Sequence, residues 1–160
     1  MTAGIAVERP SGGASRRSFG FAAASLALVL GVSGCQAQSN PEHITIQTSS
    51  GSHEFTVEWA VTAEETQRGL MFREQMDADH GMVFDFKDEA PRSFWMRNTI
   101  LPLDMIFIKA DGTVYRIAED TVPFSDAAVP SGGPVRYVLE VNAGTSDRIS
   151  LDPGDHIDLN

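Results

Sequence analysis

The amino-acid sequence predicts a mainly β fold, a compact antiparallel sandwich or small barrel with one or two short helices. Apolar and polar residues alternate from residue 54 to residue 61, which is typical of a half-buried strand. Further short apolar runs follow at close spacing, and fourteen glycines and eight prolines among 160 residues favour frequent turns. Because 42% of the residues are hydrophobic, the chain can build one ordinary core, and we expect one domain after the N-terminal region.

The first elements of this domain are predicted to be a strand pair and a short helix. Residues 43–48 are expected to pair with residues 54–61 across the turn at 49–52. Thr62 and Glu65 have the spacing of a capping box, in which a hydroxyl and a carboxylate satisfy backbone N–H groups at a helix N-terminus. We therefore predict a short helix that ends near Gly69.

The rest of the domain is predicted to consist of short strands and turns. Asp111-Gly112 is a strong two-residue hairpin signal. Residues 123–134, rich in Pro and Gly, are predicted to form a loop long enough to act as a lid. The further strands are expected at residues 81–86, 93–96, 104–109, 113–119, 135–142 and 155–159.

The N-terminal 34 residues are predicted to be an export signal. The uncharged apolar stretch at residues 19–34 follows Arg9, Arg16 and Arg17, and glycine and serine interrupt it too early for a membrane-spanning helix. The segment SRRSF at residues 15–19 resembles the twin-arginine signature, so twin-arginine export is favoured while general secretion stays open.

Cys35, the only cysteine, ends a Val-Ser-Gly-Cys sequence that looks like a lipobox. We predict that its thiol is acylated, because several acyl chains hold a protein on a membrane without a spanning helix. The predicted organisation is a signal peptide at residues 1–34, a lipidated tether at 35–42 and a β domain at 43–160. The expected location is the extracytoplasmic side of the cell envelope, the periplasm in a Gram-negative cell.

The charge of the chain argues against nucleic-acid partners. Twelve basic and twenty-two acidic residues give a formal charge of −10, and after residue 34 nine basic residues oppose twenty-one acidic ones, a charge of −12. Such a domain is repelled by phosphate backbones and by anionic headgroups. We therefore expect membrane attachment through the N-terminal lipid alone and no nucleic-acid partner.

Five segments of the domain resemble a known family. They are RGLMFR at residues 68–73, GMVFDF at 81–86, FWMRNT at 94–99, PLDMIFI at 102–108 and VLEV at 138–141. In this order they closely resemble the bacterial and archaeal family called domain of unknown function 192 (DUF192), over roughly residues 44–159. The resemblance implies a compact, mostly β domain that is often exported or lipid-anchored, and it implies no settled activity.

Polar residues inside apolar stretches are the candidates for a ligand site. Asp104 and Glu140 lie on strand faces with apolar neighbours, and a buried carboxylate needs a cation or several hydrogen-bond donors. Arg68 and Arg97 are available partners with forks suited to carboxylates, while Trp95 offers an aromatic face. The predicted ligand-binding residues are Trp95, Arg97, Asn98, Asp104, Glu140 and Arg68.

Three functions remain open for these residues. The leading hypothesis is a binding domain for a small polar ligand, such as a carbohydrate, or for an envelope protein. The first alternative is a hydrolase of envelope glycans that uses Asp104 and Glu140 as an acid and base pair. The second is a purely structural interaction module, in which buried arginine and carboxylate pairs only hold the fold.

The sequence assigns no catalytic residue, metal site or cofactor. No thiol remains for catalysis once Cys35 is acylated, and no phosphate-binding, zinc or serine-hydrolase motif occurs. Five methionines near His80 raise the alternative of a Cu(I) site, because thioethers and imidazole suit a soft ion. Gap-filling in the core is the commoner use of methionine, so no metal is predicted.

Overall fold

The computed structural model describes Asn40 and residues 42–159. The predicted export signal and Cys35 lie outside the described residues, as does most of the predicted tether. Within the part of the chain that the structure describes, no helix is both long enough and apolar enough to cross a membrane.

Seven strands and two short helices make up the domain, which confirms the predicted mainly β class. All seven strands belong to one sheet in the order β5-β4-β6-β3-β2-β1-β7, curled into a half-barrel. The elements are β1 His43–Thr48, β2 Gly51–Ala60, α1 Ala63–Arg68, β3 His80–Phe94, β4 Leu103–Ile108, β5 Val114–Thr121, β6 Val129–Asn142, α2 Thr145–Ile149 and β7 His156–Asp158.

The curl brings the two edges of the sheet together at one end. Around a bridge between Thr113 and His156, the N–H of Ile157 donates to the carbonyl of Gly112 at 2.9 Å, and the N–H of Val114 donates to the carbonyl of Asp155 at 2.8 Å. These bonds satisfy backbone groups that an open sheet edge would leave unpaired.

Every strand pair is antiparallel except β2 with β3. A parallel pair needs a crossover connection, and residues 61–79, which include α1, supply it. Thr62 accepts a hydrogen bond from the Glu65 N–H at 3.2 Å, and Glu65 accepts one from the Thr62 N–H at 2.9 Å. The predicted capping box is therefore confirmed, and the crossover begins with a fixed helical turn.

Both faces of the central strands are covered. Val83, Ile106 and Leu139 pack into one apolar cluster, whereas their sequence neighbours Phe84 and Met105 pack into a second cluster. Because successive side chains of a strand point to opposite faces, the two clusters lie on the two sides of the sheet. All six residues of β4 are buried for this reason.

The loop predicted at residues 123–134 is confirmed for residues 123–128 and wrong from Val129 onward. The second half of this segment belongs to β6, which begins at Val129 and pairs with the distal part of β3. Ser131 is fully buried, where its hydroxyl accepts from the Arg92 N–H at 2.9 Å and donates to the Gly133 carbonyl at 2.7 Å. The prolines occur where the β3 and β6 register shifts, and such irregularities tolerate a residue without an N–H.

Candidate functional site

A pocket of about 150 Å³ lies between the C-terminal end of α1 and the sheet. Aromatic rings form one part of its wall, the backbone after α1 forms another, and one acidic side chain comes from β6. The lining residues are Thr66, Gln67, Arg68, Gly69, Leu70, Met71, Phe84, Phe86, Ser93, Phe94, Trp95, Thr99 and Glu140.

Glu140 is the buried acidic group of this pocket. It lies on β6 between Met82 of β3 and Met105 of β4, and only 5% of its surface is exposed. Within the described residues, its carboxyl group accepts no hydrogen bond and makes no ion pair. Burial raises the pKa of Glu140 to about 8, because the charged form loses its hydration and gains no partner in return.

Gly69 brings the backbone close to this carboxyl group. Its φ is +47°, a backbone conformation that residues with a Cβ rarely adopt. A Cβ at this position would lie 3.1 Å from Cζ of Phe84 and 3.9 Å from Oε2 of Glu140. The sequence predicts the helix end at Gly69 but gives no sign that this glycine faces a pocket, since the contact joins distant segments.

The aromatic wall is held in place by edge-to-face packing. The Phe94 ring centroid lies 5.2 Å from that of Phe84, 6.1 Å from that of Phe86 and 6.2 Å from that of Phe107. Such near-perpendicular contacts are a favoured geometry for aromatic pairs. The pocket therefore combines packed aromatic rings with one carboxyl group that lacks a partner.

Asp104 is also buried, but on the opposite side of the sheet. Residue 104 is paired with Val141 and residue 105 with Glu140, so the Asp104 and Glu140 side chains project from opposite faces. The predicted acid and base pair of a glycan hydrolase is therefore wrong for Asp104 and Glu140.

Backbone N–H groups satisfy the Asp104 carboxylate. Oδ1 accepts from Asp120 at 3.0 Å and from Gly144 at 3.3 Å, and Oδ2 accepts from Ser146 at 2.9 Å. Asp104 is 0% exposed and thereby joins the end of β5 to the N-terminus of α2. The predicted arginine partner is wrong, because neither Arg68 nor Arg97 contacts it, and the predicted alternative of several donors is confirmed.

Only some of the other predicted residues line the pocket. Arg68 and Trp95 line the pocket, whereas Arg97 and Asn98 do not. Arg97 pairs with Asp126 at 2.6 Å and places its guanidinium 4.5 Å from the Trp95 ring centroid. Asn98 adopts a φ of +56°, and its carbonyl accepts from the Phe72 N–H at 2.9 Å. Three of the six predicted residues, Arg68, Trp95 and Glu140, thus come together.

Exposed apolar side chains lie on the loops beside the turn formed by Arg97 and Asn98. Phe72 is 66% exposed with a φ of +66°, and Phe124 is 63% exposed with a φ of +58°. The Phe72 N–H donates to the carbonyl of Asn98, and the Phe124 N–H donates to the carbonyl of Thr99. A left-handed conformation is rare for phenylalanine and costs energy, so neighbouring structure must impose it.

A second depression lies across the Arg68–Met71 segment from the pocket and holds an ion-pair network. Arg73 donates two hydrogen bonds to Glu58 at 2.6 and 2.5 Å, and His80 Nε2 lies 2.9 Å from the same carboxylate. The bond to Arg73 is the main reason that the pKa of Glu58 is lowered to about 2, although burial opposes it. This network fastens the segment after α1 to β2 and β3.

The methionines that suggested copper have other surroundings. Met82, Met96 and Met105 are buried in the apolar cluster around Phe84, and the Thr121 hydroxyl donates to Sδ of Met96 at 3.2 Å. Within residues 42–159, no three His, Cys, Asp or Glu side chains are grouped closely enough to hold a metal ion.

The fold and pocket define a compact, mainly β domain with a buried carboxyl group at a small aromatic pocket. The chain belongs to the DUF192 family, described as "Uncharacterized ACR", whose model matches residues 44–159. This match confirms the family that the sequence segments indicated.

Solved structures similar to this chain include the following two. A protein from Sinorhizobium meliloti 1021, described as a "putative transcription regulator", is 50% identical over 73% of this chain and 92% of that chain, with a TM-score of 0.72. A protein of unknown function from Novosphingobium aromaticivorans DSM 12444 is 36% identical over 76% of this chain and 94% of that chain, with a TM-score of 0.71. No curated protein is significantly similar to the chain.

Proposed function

We propose that this domain binds a small ligand in the pocket next to Glu140. The observation that carries the proposal is the Glu140 carboxyl group, which is buried without a hydrogen-bond partner in the described structure and lines a pocket. Burial of this carboxyl group penalises its charged form. Perturbed titratable groups in pockets are characteristic of functional sites, and a ligand that pairs with Glu140 would offset this cost.

The size and lining of the pocket favour a ligand with one polar group on a small apolar body. A cavity of about 150 Å³ accommodates a molecule the size of benzene, and the pocket volume matches it. A hexose is larger and carries hydroxyl groups around its whole ring, some of which would face the phenylalanines. A carbohydrate, as first predicted, is therefore a poorer fit than a small ligand with a single polar end.

We also propose that the domain works on the extracytoplasmic side of the cell envelope, attached to the membrane through acylated Cys35. The support is the order of arginines, apolar stretch and lipobox-like sequence. Glu42, the last residue of the predicted tether, directly precedes β1 in the sequence. The charge of −12 after residue 34 disfavours DNA binding.

Cys35→Ser is expected to release the protein from membranes. Each buried methylene of an acyl chain contributes about 0.8 kcal/mol to membrane binding, and serine lacks the thiol that would be acylated. Fractionation of cells expressing the full chain, with mass spectrometry of the N-terminus, tests this. Wild type and the control Ser39→Ala should carry an acylated Cys35 in the membrane fraction. Equal membrane retention of Cys35→Ser would contradict the anchor.

Ligand binding in the pocket is expected to raise the melting temperature. A screen of benzene-sized aromatics, short alcohols, amines and monosaccharides against residues 42–160 tests this, because a ligand that binds only the folded state stabilises it by mass action. Wild type and the control Glu54→Gln, which changes an exposed strand residue, should respond alike.

Thr66→Phe narrows the pocket. This variant should need at least ten times more ligand than wild type for the same rise in melting temperature. The proposal fails if no compound stabilises wild type, or if Thr66→Phe responds as wild type does.

A partner protein of the envelope is the second candidate. The exposed loops with Phe72 and Phe124 favour it, because strained and exposed aromatic side chains are costly without a contact. Binding to these loops would not depend on Glu140, so the screen separates the two candidates.

A further inference from the structure

We infer that the ligand of this pocket is a small organic ammonium ion, whose N–H groups donate to Glu140 while its carbon body packs against the aromatic wall. This inference rests on the proposed function and specifies the chemical class of the ligand. It follows from the hydrogen-bonding inventory of the pocket, from its rings and from the charge of the domain.

The hydrogen-bonding inventory leaves Glu140 as an acceptor that lacks a donor. The residues next to it on the strands are Met82 of β3 and Met105 of β4, and neither offers a strong donor. Thr66, Gln67, Arg68, Ser93 and Thr99 also line the pocket and carry donors, but none of them donates to Glu140 in the described structure. An ammonium group carries donors, has no acceptor, and compensates the buried negative charge. A neutral ligand could accept a hydrogen bond from the protonated acid, but it could not compensate the charge of the ionised form.

Charged groups from the other elements do not supply this compensation. On the same face, β3 contributes Phe84 and Phe86, and β4 contributes Leu103 and Phe107, none of which titrates. The segment after α1 contributes Arg68, which lines the pocket but is exposed and makes no ion pair within the described residues. Glu58, Glu65 and Arg73 line the second depression, which shares Arg68, Gly69 and Met71 with the pocket, and they do not line the pocket itself.

The remaining features of the pocket also suit a cation. Aromatic faces attract an ammonium group through the ring quadrupole, and Phe84 and Phe94 line the pocket. The rings of Phe86 and Trp95 already carry the guanidinium groups of Arg92 and Arg97, at 4.3 and 4.5 Å from their centroids. The negative charge of the domain raises the local concentration of cations and lowers that of anions. A small ammonium ion with a compact carbon body therefore matches the size, lining and charge of the site.

Benzylammonium and benzyl alcohol form a matched pair of probes that tests the inference on residues 42–160. Binding of the cation requires the carboxylate, so the Glu140 proton must pass to the buffer. With a pKa of about 8 for Glu140, benzylammonium affinity should rise roughly ninefold from pH 6 to pH 7 and roughly fivefold from pH 7 to pH 8. Benzyl alcohol affinity should stay flat to pH 7 and fall above it.

Calorimetry in buffers of different ionisation enthalpy should show release of about 0.9 proton per benzylammonium at pH 7. Glu140→Gln should weaken benzylammonium at least tenfold, whereas Glu54→Gln should bind as wild type does. The inference is overturned if benzyl alcohol binds and benzylammonium does not, and the proposed small-ligand function then survives. It is also overturned if benzylammonium binds Glu140→Gln as well as wild type. If neither probe binds, the ammonium inference fails, and the broader screen decides the proposed function separately.

Discussion

Asp104→Asn is expected to lower the free energy of unfolding by about 3 kcal/mol, because its carboxylate accepts backbone N–H groups from three separate residues in a fully buried position. Asparagine keeps the size of the side chain but replaces one acceptor oxygen with an NH₂ donor. At least one backbone N–H then faces another donor, and the buried group loses its partner. Urea denaturation at pH 7 measures the difference.

Asp126→Asn is the matched control for this experiment. Asp126 pairs with Arg97 at 2.6 Å, but both side chains are at least half exposed, and exposed ion pairs contribute about 0–1 kcal/mol. A loss below about 1 kcal/mol in Asp104→Asn, equal to that of Asp126→Asn, would contradict the structural role of Asp104. Folded Asp104→Asn should bind pocket ligands as wild type does, since its side chain projects from the other face of the sheet.

Local sequence patterns predicted the elements of the fold better than their pairing. The alternation before Val61 and the capping box at Thr62 each depend on residues close in sequence, and both the strand and the helix are present. The parallel pairing of β2 with β3 depends on contacts across the crossover, which no local pattern encodes. The segment beginning at Val129 is predicted as a loop because it is rich in proline and glycine. In the structure it is a strand, because the distal part of β3 pairs with it.

The difference between local patterns and long-range pairing also explains which site residues the sequence predicts correctly. Period-two alternation correctly placed Glu140 on the face of Val138 and Asp104 on the face of Ile106. Alternation within each strand does not fix the register between strands, however, and the register decides that the two carboxyl groups lie on opposite sides of the sheet. The closeness of Gly69 to Glu140 is a contact between a crossover and a strand, so the sequence could not predict it.

Glu140→Gln is expected to remove a loss of stability that wild type shows as the pH rises. The Glu140 pKa is about 8 in the folded protein against an ordinary value of 4.5, so the folded state binds this proton more tightly than the unfolded state does. Below pH 4.5 both states are protonated, and Glu140 contributes no pH dependence. Between pH 4.5 and pH 8 the unfolded state gives up its proton first, which stabilises it relative to the folded state.

Between pH 5 and pH 8 the wild-type free energy of unfolding should therefore fall by about 3–4 kcal/mol more than that of Glu140→Gln. Urea denaturation of both proteins and of Glu54→Gln across this range measures the difference, and Glu54→Gln should follow wild type. Groups whose pKa is lowered in the folded state, such as Glu58 at about 2, change the free energy of unfolding below pH 5. They are present in all three proteins, so they do not affect the comparison. Parallel curves for wild type and Glu140→Gln would mean that Glu140 has a compensating partner, which would remove the observation on which the proposed ligand site depends.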